Sequence, residues 1–280
     1  MRTLTRAAPS LAGEADGAAQ RAVAHHLSSG GHRIRAQLAV HASLALELSA
    51  GDAVALATTA ELAHNASLVH DDLQDRDTTR RGMATVWAAY GDGVAICAGD
   101  ALLSAAYCAL AAVSRTHLLP TLMTLLHRRI TDACTGQCVD LTNMPGQQMS
   151  FDHYKTTSAL KSGSLLALPI ELSLVAAGQS KAVPRASRAA ELFAVAYQIF
   201  DDLKDVKTDL MRATAQPAMN VVAVMQACHP QQDARALACQ HALACLDEAA
   251  EASLSLPGQS GQLLRQLAHD LSVRFAREAA

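Results

Sequence analysis

The sequence has few aromatic residues, no excess of basic residues and no paired-cysteine motif. Only 3% of its 280 residues are aromatic although 50% are hydrophobic, and alternation of apolar and polar residues is rare, so helices are favoured over strands. The formal net charge of −3 argues against nucleic-acid binding. The seven cysteines form no CxxC pair and no Cys/His series of zinc type. We interpret Cys134 and Cys138, one helical turn apart, as small buried residues on one helix face.

Long hydrophobic runs are also missing. The longest nearly apolar stretch, residues 101–113, is shorter than the roughly 20 residues that cross a bilayer. The first 17 residues contain no apolar signal-peptide core, so we expect a cytoplasmic protein without a transmembrane segment. Short breakers separate about ten apolar-periodic segments, and no loop is long enough to link two domains. We therefore predict one all-α domain over residues 1–280.

Two matching segments carry the most concentrated acidic residues. The stretches ELAHNASLVHDDLQD (61–75) and ELFAVAYQIFDDLKD (191–205) align without gaps, and each is an apolar run that ends in DDxxD. Residues four apart share a helix face, so Asp71 and Asp75 point the same way, as do Asp201 and Asp205. Carboxylates so placed repel one another and oppose the helix macrodipole.

Divalent cations would offset this repulsion. One acidic helix end is more often solvated surface, whereas two matching ends favour a metal site. The pattern disfavours a calcium EF-hand, because the central glycine and the late glutamate are missing, while carboxylates without His or Cys partners suit Mg²⁺. Because Mg²⁺ is usually bound through a few carboxylates together with substrate phosphates, the two segments predict a site for a diphosphate.

An ordered set of motifs resembles the trans-isoprenyl diphosphate synthases (polyprenyl synthetases) over about residues 20–275. The motifs are GGHRIRA (30–36), the first aspartate region with RRG and GDALL, GQCVDL (136–141), KSGSLLALPIELSLVAAG (161–178) and YQIFDDLKD (197–205). The resemblance implies a bundle of helices around a deep cavity, usually in a homodimer. It also implies head-to-tail joining of isopentenyl diphosphate to an allylic diphosphate.

The resemblance assigns roles to individual residues. Two or three Mg²⁺ ions, with Mn²⁺ as a substitute, would be held by six aspartates: Asp71, Asp72, Asp75, Asp201, Asp202 and Asp205. The allylic diphosphate would contact Arg80, Lys161 and Gln198, with Ser162 where the family has threonine. Lys161 would also act in catalysis with the aspartates, because it stabilises the leaving pyrophosphate. Isopentenyl diphosphate would be held by His32, Arg35, His64 and Arg81.

Two small residues bear on product length. Ala66 and Ser67 lie five and four positions before Asp71, where a bulky aromatic residue goes with shorter products in the family. We therefore expect the C20 product geranylgeranyl diphosphate, with C25 or longer as the second choice and C15 as the third.

The sequence departs from the family pattern at two points. His32 replaces the family's lysine, and the segment after Asp205 lacks the usual GK-containing loop, so a lid over the allylic site is not predicted.

Two other functions stay open. A class I terpene cyclase uses similar aspartate helices but needs no isopentenyl diphosphate pocket, so Arg35, His64 and Arg81 argue against it. A non-catalytic regulatory subunit has no reason to keep both DDxxD motifs, although CTGQC resembles a motif of such subunits.

Overall fold

Helices make up nearly all of the regular structure, as the alanine- and leucine-rich composition predicts. The structure, a computed structural model, describes residues 17–142, 149–212 and 220–278, without the side chains of residues 205–212 and 278. The α-helices are α1 (Ala18–Ser28), α2 (Ile34–Ala45), α3 (Ala50–Gln74), α4 (Val86–Tyr90), α5 (Asp92–Leu110), α6 (Leu119–Thr142), α7 (Phe151–Ser158), α8 (Ser164–Ala176), α9 (Val183–Arg212), α10 (Val221–Cys228), α11 (Ala234–Leu254) and α12 (Gln262–Glu278). The predicted all-α class is confirmed.

Helix α8 lies at the centre of the molecule. Every residue from Ser164 to Ala176 is buried, as a helix that is hydrophobic on all sides requires. Its Leu166 and Ile170 pack into a core formed with α9 to α12, whereas its Leu165 and Leu168 pack into a second core formed with α3, α5 and α6. The two cores therefore share one helix.

Helices α3 and α9 carry the two aspartate segments. Helix α3 begins where Ser49 Oγ accepts a hydrogen bond from the Asp52 backbone N–H at 3.0 Å, and it ends at Gln74 with Asp75 as its C-cap. Helix α9 continues through Asp201 and Asp205 to Arg212. Each aspartate segment is thus helical, as the sequence predicts. The first lies at a helix C-terminus, but the prediction that the second also ends its helix is wrong, because α9 continues past Asp205 to Arg212.

A small β-hairpin follows α3 and was not predicted. Strands β1 (Thr79–Arg80) and β2 (Met83–Ala84) pair antiparallel around Arg81 and Gly82, which have φ angles of 52° and 77°. Two consecutive positive φ angles define the tight hairpin turn whose twist matches its strands, and glycine suits the second position. The turn directs the two adjacent arginines to different partners.

Two helical stretches, Asp92–Leu110 and Phe151–Ala176, are long and apolar enough to cross a membrane by length and composition alone. The expectation of no transmembrane segment stays a prediction, because length and composition alone do not separate a core helix from a membrane span. The apolar window of Phe151–Ala176 is 78% buried inside the protein, so this stretch is core. The window of Asp92–Leu110 is 39% buried, which leaves an apolar face of α5 exposed.

Candidate active site

The first three aspartates lie at the end of α3 and differ in their surroundings. Asp72 is 1% exposed, Asp71 is half-buried and Asp75 is exposed. Burial, with a smaller contribution from the neighbouring Asp75 carboxylate, raises the pKa of Asp71 to about 6, although Lys161 opposes the shift. Ionised Asp71 is therefore disfavoured unless a cation approaches.

Arg80 is the direct partner of Asp72. The hairpin places Arg80 Nε 2.7 Å and Nη2 2.6 Å from Asp72 Oδ1. The other oxygen, Asp72 Oδ2, is buried and has no hydrogen-bond partner. A buried carboxylate oxygen without a partner is costly, so this atom offers a binding position for a donor or a cation.

The second aspartate segment is held by a different set of contacts. Asp202 is 5% exposed and accepts hydrogen bonds from the Tyr154 hydroxyl at 2.9 Å, Gln198 Nε2 at 2.7 Å and the Val221 backbone N–H at 2.8 Å. These contacts join α9 to α7 and α10. The Gln198 side chain, which the sequence assigns to the allylic diphosphate, therefore contacts Asp202. The preceding aspartate, Asp201, is half-buried. The side chain of Asp205 lies outside the described residues, as does the loop after α9 for which no lid was predicted.

Lys161 and Ser162 lie on a short π-helical segment, Ala159–Gly163, between α7 and α8. Lys161 Nζ donates to Asp140 Oδ2 at 2.6 Å, and although burial opposes it, this carboxylate raises the pKa of Lys161, with smaller contributions from Asp75 and Asp71. Lys161 therefore stays charged beside the first aspartates. Such π-helical turns are frequent at functional sites.

Helix α6 completes this side of the site through residues that the site prediction missed. Gln137 Nε2 donates to Asp75 Oδ1 at 3.2 Å, and Asp140 of the same helix holds Lys161. The GQxxD pattern was the available signal, although spacing alone does not say what its polar residues contact. Gly136 lets the helices meet, because a Cβ there would lie 2.4 Å from the Lys161 backbone nitrogen.

A second cationic group lies at the glycine turn before α2. Arg81 donates to the Gly30 carbonyl, and a Cβ at Gly31 would collide with the Arg81 guanidinium at 2.4 Å. Arg35 Nε is buried without a hydrogen-bond partner, and burial lowers the pKa of Arg35 to about 10. The structure thus brings the GGHR and RRG motifs together, as an anion site requires.

Two histidines border this second group. His32 is exposed on the glycine turn. His64 is half-buried, and burial followed by the charge of Arg35 lowers its pKa well below 6.5, so its imidazole is neutral. A neutral histidine still donates one hydrogen bond to a phosphate oxygen.

Among the described residues, no three His, Cys, Asp or Glu side chains form a ready-made metal site. The predicted six-aspartate site therefore stays a prediction. The residues present nonetheless fit a hard cation, because Asp71 is destabilised by burial when ionised and Asp72 Oδ2 is unpaired. Mg²⁺ commonly needs only one or two carboxylates and completes its shell with water and substrate phosphates.

The two residues predicted to set product length differ in exposure. Ala66 is 3% exposed and packs in the core of α3, α5 and α6. Ser67 is half-buried, and its hydroxyl donates to the His64 carbonyl at 2.9 Å. Ser67 is therefore the less tightly packed of the two positions.

The interpretation of the cysteine pair was wrong. Cys134 and Cys138 are both exposed, whereas Ala133, Gly136 and Gln137 of α6 are buried. Burial still raises the pKa of the Cys134 thiol, and neighbouring Cys138 and Asp71 add to the shift. Cys134 therefore lies near the first aspartates.

Comparisons with known proteins agree with this geometry. The polyprenyl synthetase family profile matches residues 17–241. The chain is 31% identical over 193 residues to a short chain isoprenyl diphosphate synthase of Methanothermobacter thermautotrophicus, an alignment that covers 68% of this chain and 58% of that protein. It is 32% identical over 203 residues to a geranylgeranyl diphosphate synthase of Mycobacterium tuberculosis, covering 72% of this chain and 58% of the relative. The chain thus spans little more than half the length of these relatives.

Solved structures match nearly the whole chain. A geranylgeranyl pyrophosphate synthetase of the archaeon Geoglobus acetivorans superposes with a TM-score of 0.83 at 23% identity, covering 97% of each chain. A heptaprenyl diphosphate synthase of Staphylococcus aureus superposes with a TM-score of 0.81 at 22% identity, covering 98% of this chain and 95% of that one. These likenesses establish the fold, and the profile match establishes the family. The chain belongs to the polyprenyl synthetase family.

Proposed function

We propose that this chain is a trans-prenyl diphosphate synthase, which condenses isopentenyl diphosphate head to tail with an allylic diphosphate. The observation that carries the proposal is the presence of two separate cationic groups, one beside the first aspartates and one at the glycine turn. Arg80 and Lys161 border the first aspartates, whereas Arg35 and Arg81 lie at the glycine turn. Two cationic groups suit two diphosphates, while a terpene cyclase binds only one.

Divalent metal is the cofactor that the acidic residues fit. We propose that six aspartates bind two or three Mg²⁺ ions, with Mn²⁺ as a substitute: Asp71, Asp72, Asp75, Asp201, Asp202 and Asp205. Asp72 also binds Arg80 through one oxygen and keeps its Oδ2 without a hydrogen-bond partner, and Asp202 also binds Tyr154. When bound, the metal supplies Lewis-acid stabilisation of the negative charge on the leaving pyrophosphate.

The protein's own residues position both substrates. As the allylic C1–O bond breaks, Arg80 and Lys161 donate hydrogen bonds to a diphosphate whose negative charge is increasing. The double bond of isopentenyl diphosphate, held by Arg35, Arg81, His32 and His64, supplies the electron pair of the new C–C bond to C1. The released pyrophosphate accepts the proton that leaves C2 of the isopentenyl unit, so no covalent nucleophile is needed. The apolar helix faces keep water from the allylic cation.

We further propose a homodimer formed through α5. This helix is apolar yet largely uncovered, and its Ile96 is 49% exposed. A second copy that packs on this face would bury it, and such isologous contacts are common. Sedimentation velocity should give twice the chain mass of 29.4 kDa, and Ser104→Glu on the exposed face should give the single-chain mass. A wild-type monomer at micromolar concentration contradicts this part of the proposal.

We also propose that the enzyme is a single domain and acts in the cytoplasm.

Product sizing tests the function directly. The purified protein is incubated with Mg²⁺, labelled isopentenyl diphosphate and dimethylallyl, geranyl or farnesyl diphosphate, and the products are separated by chain length. We expect label in geranylgeranyl diphosphate. Asp71→Ala and Asp201→Ala should abolish turnover while the protein stays folded, and Asp270→Ala on exposed α12 is the control.

Each other outcome has a definite meaning. Hydrocarbon products formed without isopentenyl diphosphate would identify a terpene cyclase. No product with any primer would favour the regulatory subunit. Full activity in excess EDTA would exclude the metal-dependent reaction.

A further inference from the structure

A buried carboxylate lies directly beneath the glycine turn, away from both aspartate segments. Glu61 is on α3, ten residues before Asp71, and is 4% exposed. No role in substrate or metal binding follows from its position, because its side chain faces α2 rather than the aspartates. A buried carboxylate is unfavourable unless several donors satisfy it.

Three donors satisfy both oxygens of Glu61. Arg33 Nη1 donates to Oε1 at 3.2 Å, and the Ala36 backbone N–H donates to Oε2 at 3.2 Å. Asn65, one turn further along α3, donates to Oε1 at 3.3 Å. The carboxylate therefore contacts the first turn of α2, where the free N–H groups of a helix favour negative charge.

Arg33 is fixed at a backbone position that few side chains adopt. It is the N-cap of α2 with a φ angle of 51°, in the left-handed region that costs a non-glycine residue energy. Its guanidinium also donates to the Leu27 carbonyl at the end of α1. Glu61 and Leu27 thus hold Arg33, which directly follows His32 and lies two residues before Arg35.

A second layer fixes Asn65. His26 Nε2 lies 3.0 Å from Asn65 Oδ1, and Asn65 also donates to the Glu61 carbonyl at 2.7 Å. Because the Asn65 oxygen faces the buried His26, the amide nitrogen of Asn65 faces Glu61 and donates to it. The chain of contacts from α1 to α3 to α2 is continuous.

We propose that Glu61 is a positioning residue for isopentenyl diphosphate. Its carboxylate binds Arg33 and the first turn of α2. These contacts hold the glycine turn in place, so that the donors of Arg35, His32 and Arg81 face the diphosphate. The inference rests on the proposed function, since it concerns the second substrate of that reaction. It predicts an effect on one substrate and none on the other, which general destabilisation would not produce.

Glu61→Gln tests the inference, because glutamine keeps the size and loses the charge. Isothermal titration without an allylic primer measures isopentenyl diphosphate binding in the absence of turnover. The dissociation constant for isopentenyl diphosphate should rise about tenfold or more, since a charged hydrogen-bonded pair is lost. Binding of geranyl diphosphate and kcat at saturating substrate should change less than about twofold, within the normal scatter of neutral changes.

Two further variants make the result specific. Arg33→Met should weaken isopentenyl diphosphate binding as Glu61→Gln does, and the double variant should add little, because coupled residues are non-additive. Glu248→Gln breaks an exposed glutamate–arginine pair of 2.9 Å to Arg188 and should change nothing.

The inference is overturned if the folded Glu61→Gln protein binds isopentenyl diphosphate as wild type does. It is equally overturned if both substrates weaken alike. If wild type binds isopentenyl diphosphate but makes no product with any primer, the proposed function fails while the Glu61 binding test still stands.

Discussion

Asp71 shows how a single residue reflects the chemistry proposed for the whole site. Its pKa is raised to about 6 by burial, so the fold favours the protonated carboxyl. Between about pH 4 and pH 6 the folded chain binds more protons at this group than the unfolded chain does, and the free energy of unfolding therefore falls as pH rises through this window. Above it, the ionised carboxylate is a constant penalty that a bound cation would remove.

Asp71→Asn should therefore stabilise the metal-free protein at neutral pH. In EDTA at pH 7 we expect a melting temperature about 3 to 8 °C higher than that of wild type, because about 1–3 kcal/mol of penalty is removed. At pH 4 the two proteins should melt alike. Scanning calorimetry at both pH values makes the measurement, with Asp270→Asn as the surface control. Equal melting temperatures at pH 7 would show that burial does not penalise this carboxylate.

His32 is the residue at which the sequence departs most clearly from its family. A lysine ammonium offers three donors and binds phosphate as a point charge, whereas an imidazole offers at most two. We expect His32→Lys to tighten isopentenyl diphosphate binding several-fold. The exposed His117→Lys is the matched control. A Michaelis constant for isopentenyl diphosphate that is the same in both proteins contradicts a role for position 32.

At the scale of elements, the contact between α6 and the π-helical segment fixes Lys161. A Cβ on Gly136 would lie 2.4 Å from Lys161 N and 2.8 Å from its Cα, which are backbone atoms that cannot turn aside. Gly136→Ala should therefore lower stability by about 1–3 kcal/mol and reduce turnover, since overpacking displaces Lys161. Circular dichroism melts and initial rates make the measurement.

Gly93→Ala is the matched control for this contact. Gly93 also lies in a helix, but a Cβ there meets no atom within 4 Å. Alanine is the better helix former by up to about 1 kcal/mol, so stability should be unchanged or slightly higher. If Gly136→Ala behaved like Gly93→Ala, the close approach of the two helices would not matter for the site.

The sequence predicts those elements whose signals are local. Helices α3 and α9 follow from apolar periodicity and from the repeated DDxxD, although this motif ends α3 and lies inside α9. The hairpin does not, because two-residue strands have no periodicity and Arg81 adopts a positive φ angle that its type does not suggest. The internal contacts of Asp202 depend on Tyr154 and Val221, which are distant in sequence, so no spacing rule could place them.

At the scale of the molecule, the two cores that share α8 leave the site at their junction. Lys161 directly precedes this helix on the π-helical segment, which packs against both α6 and α9. Residues from both halves of the chain therefore converge there. A shift of α8, which is buried along its whole length, would therefore move Lys161 relative to Asp71 and Asp75.

Product length is a property of the space that the helices enclose. The growing chain should extend from Asp71 along the accessible side of α3, where Ser67 is half-buried. Ser67→Phe should fill that space and shorten the product by one or more five-carbon units while coupling continues, because the block is steric. Ala66→Phe, the change that position alone suggests, enters a packed core where Ala66 is 3% exposed, so it should also destabilise the protein.

Chromatography of the dephosphorylated products, with melting curves for both variants, separates these effects. Ser67→Ala is the control, and its product should match that of wild type because the side chain stays small. If Ser67→Phe folds and makes the wild-type product, the chain does not grow past this face of α3. The wall that stops it would then have to lie on another helix, and the small residues before Asp71 would no longer support a C20 product.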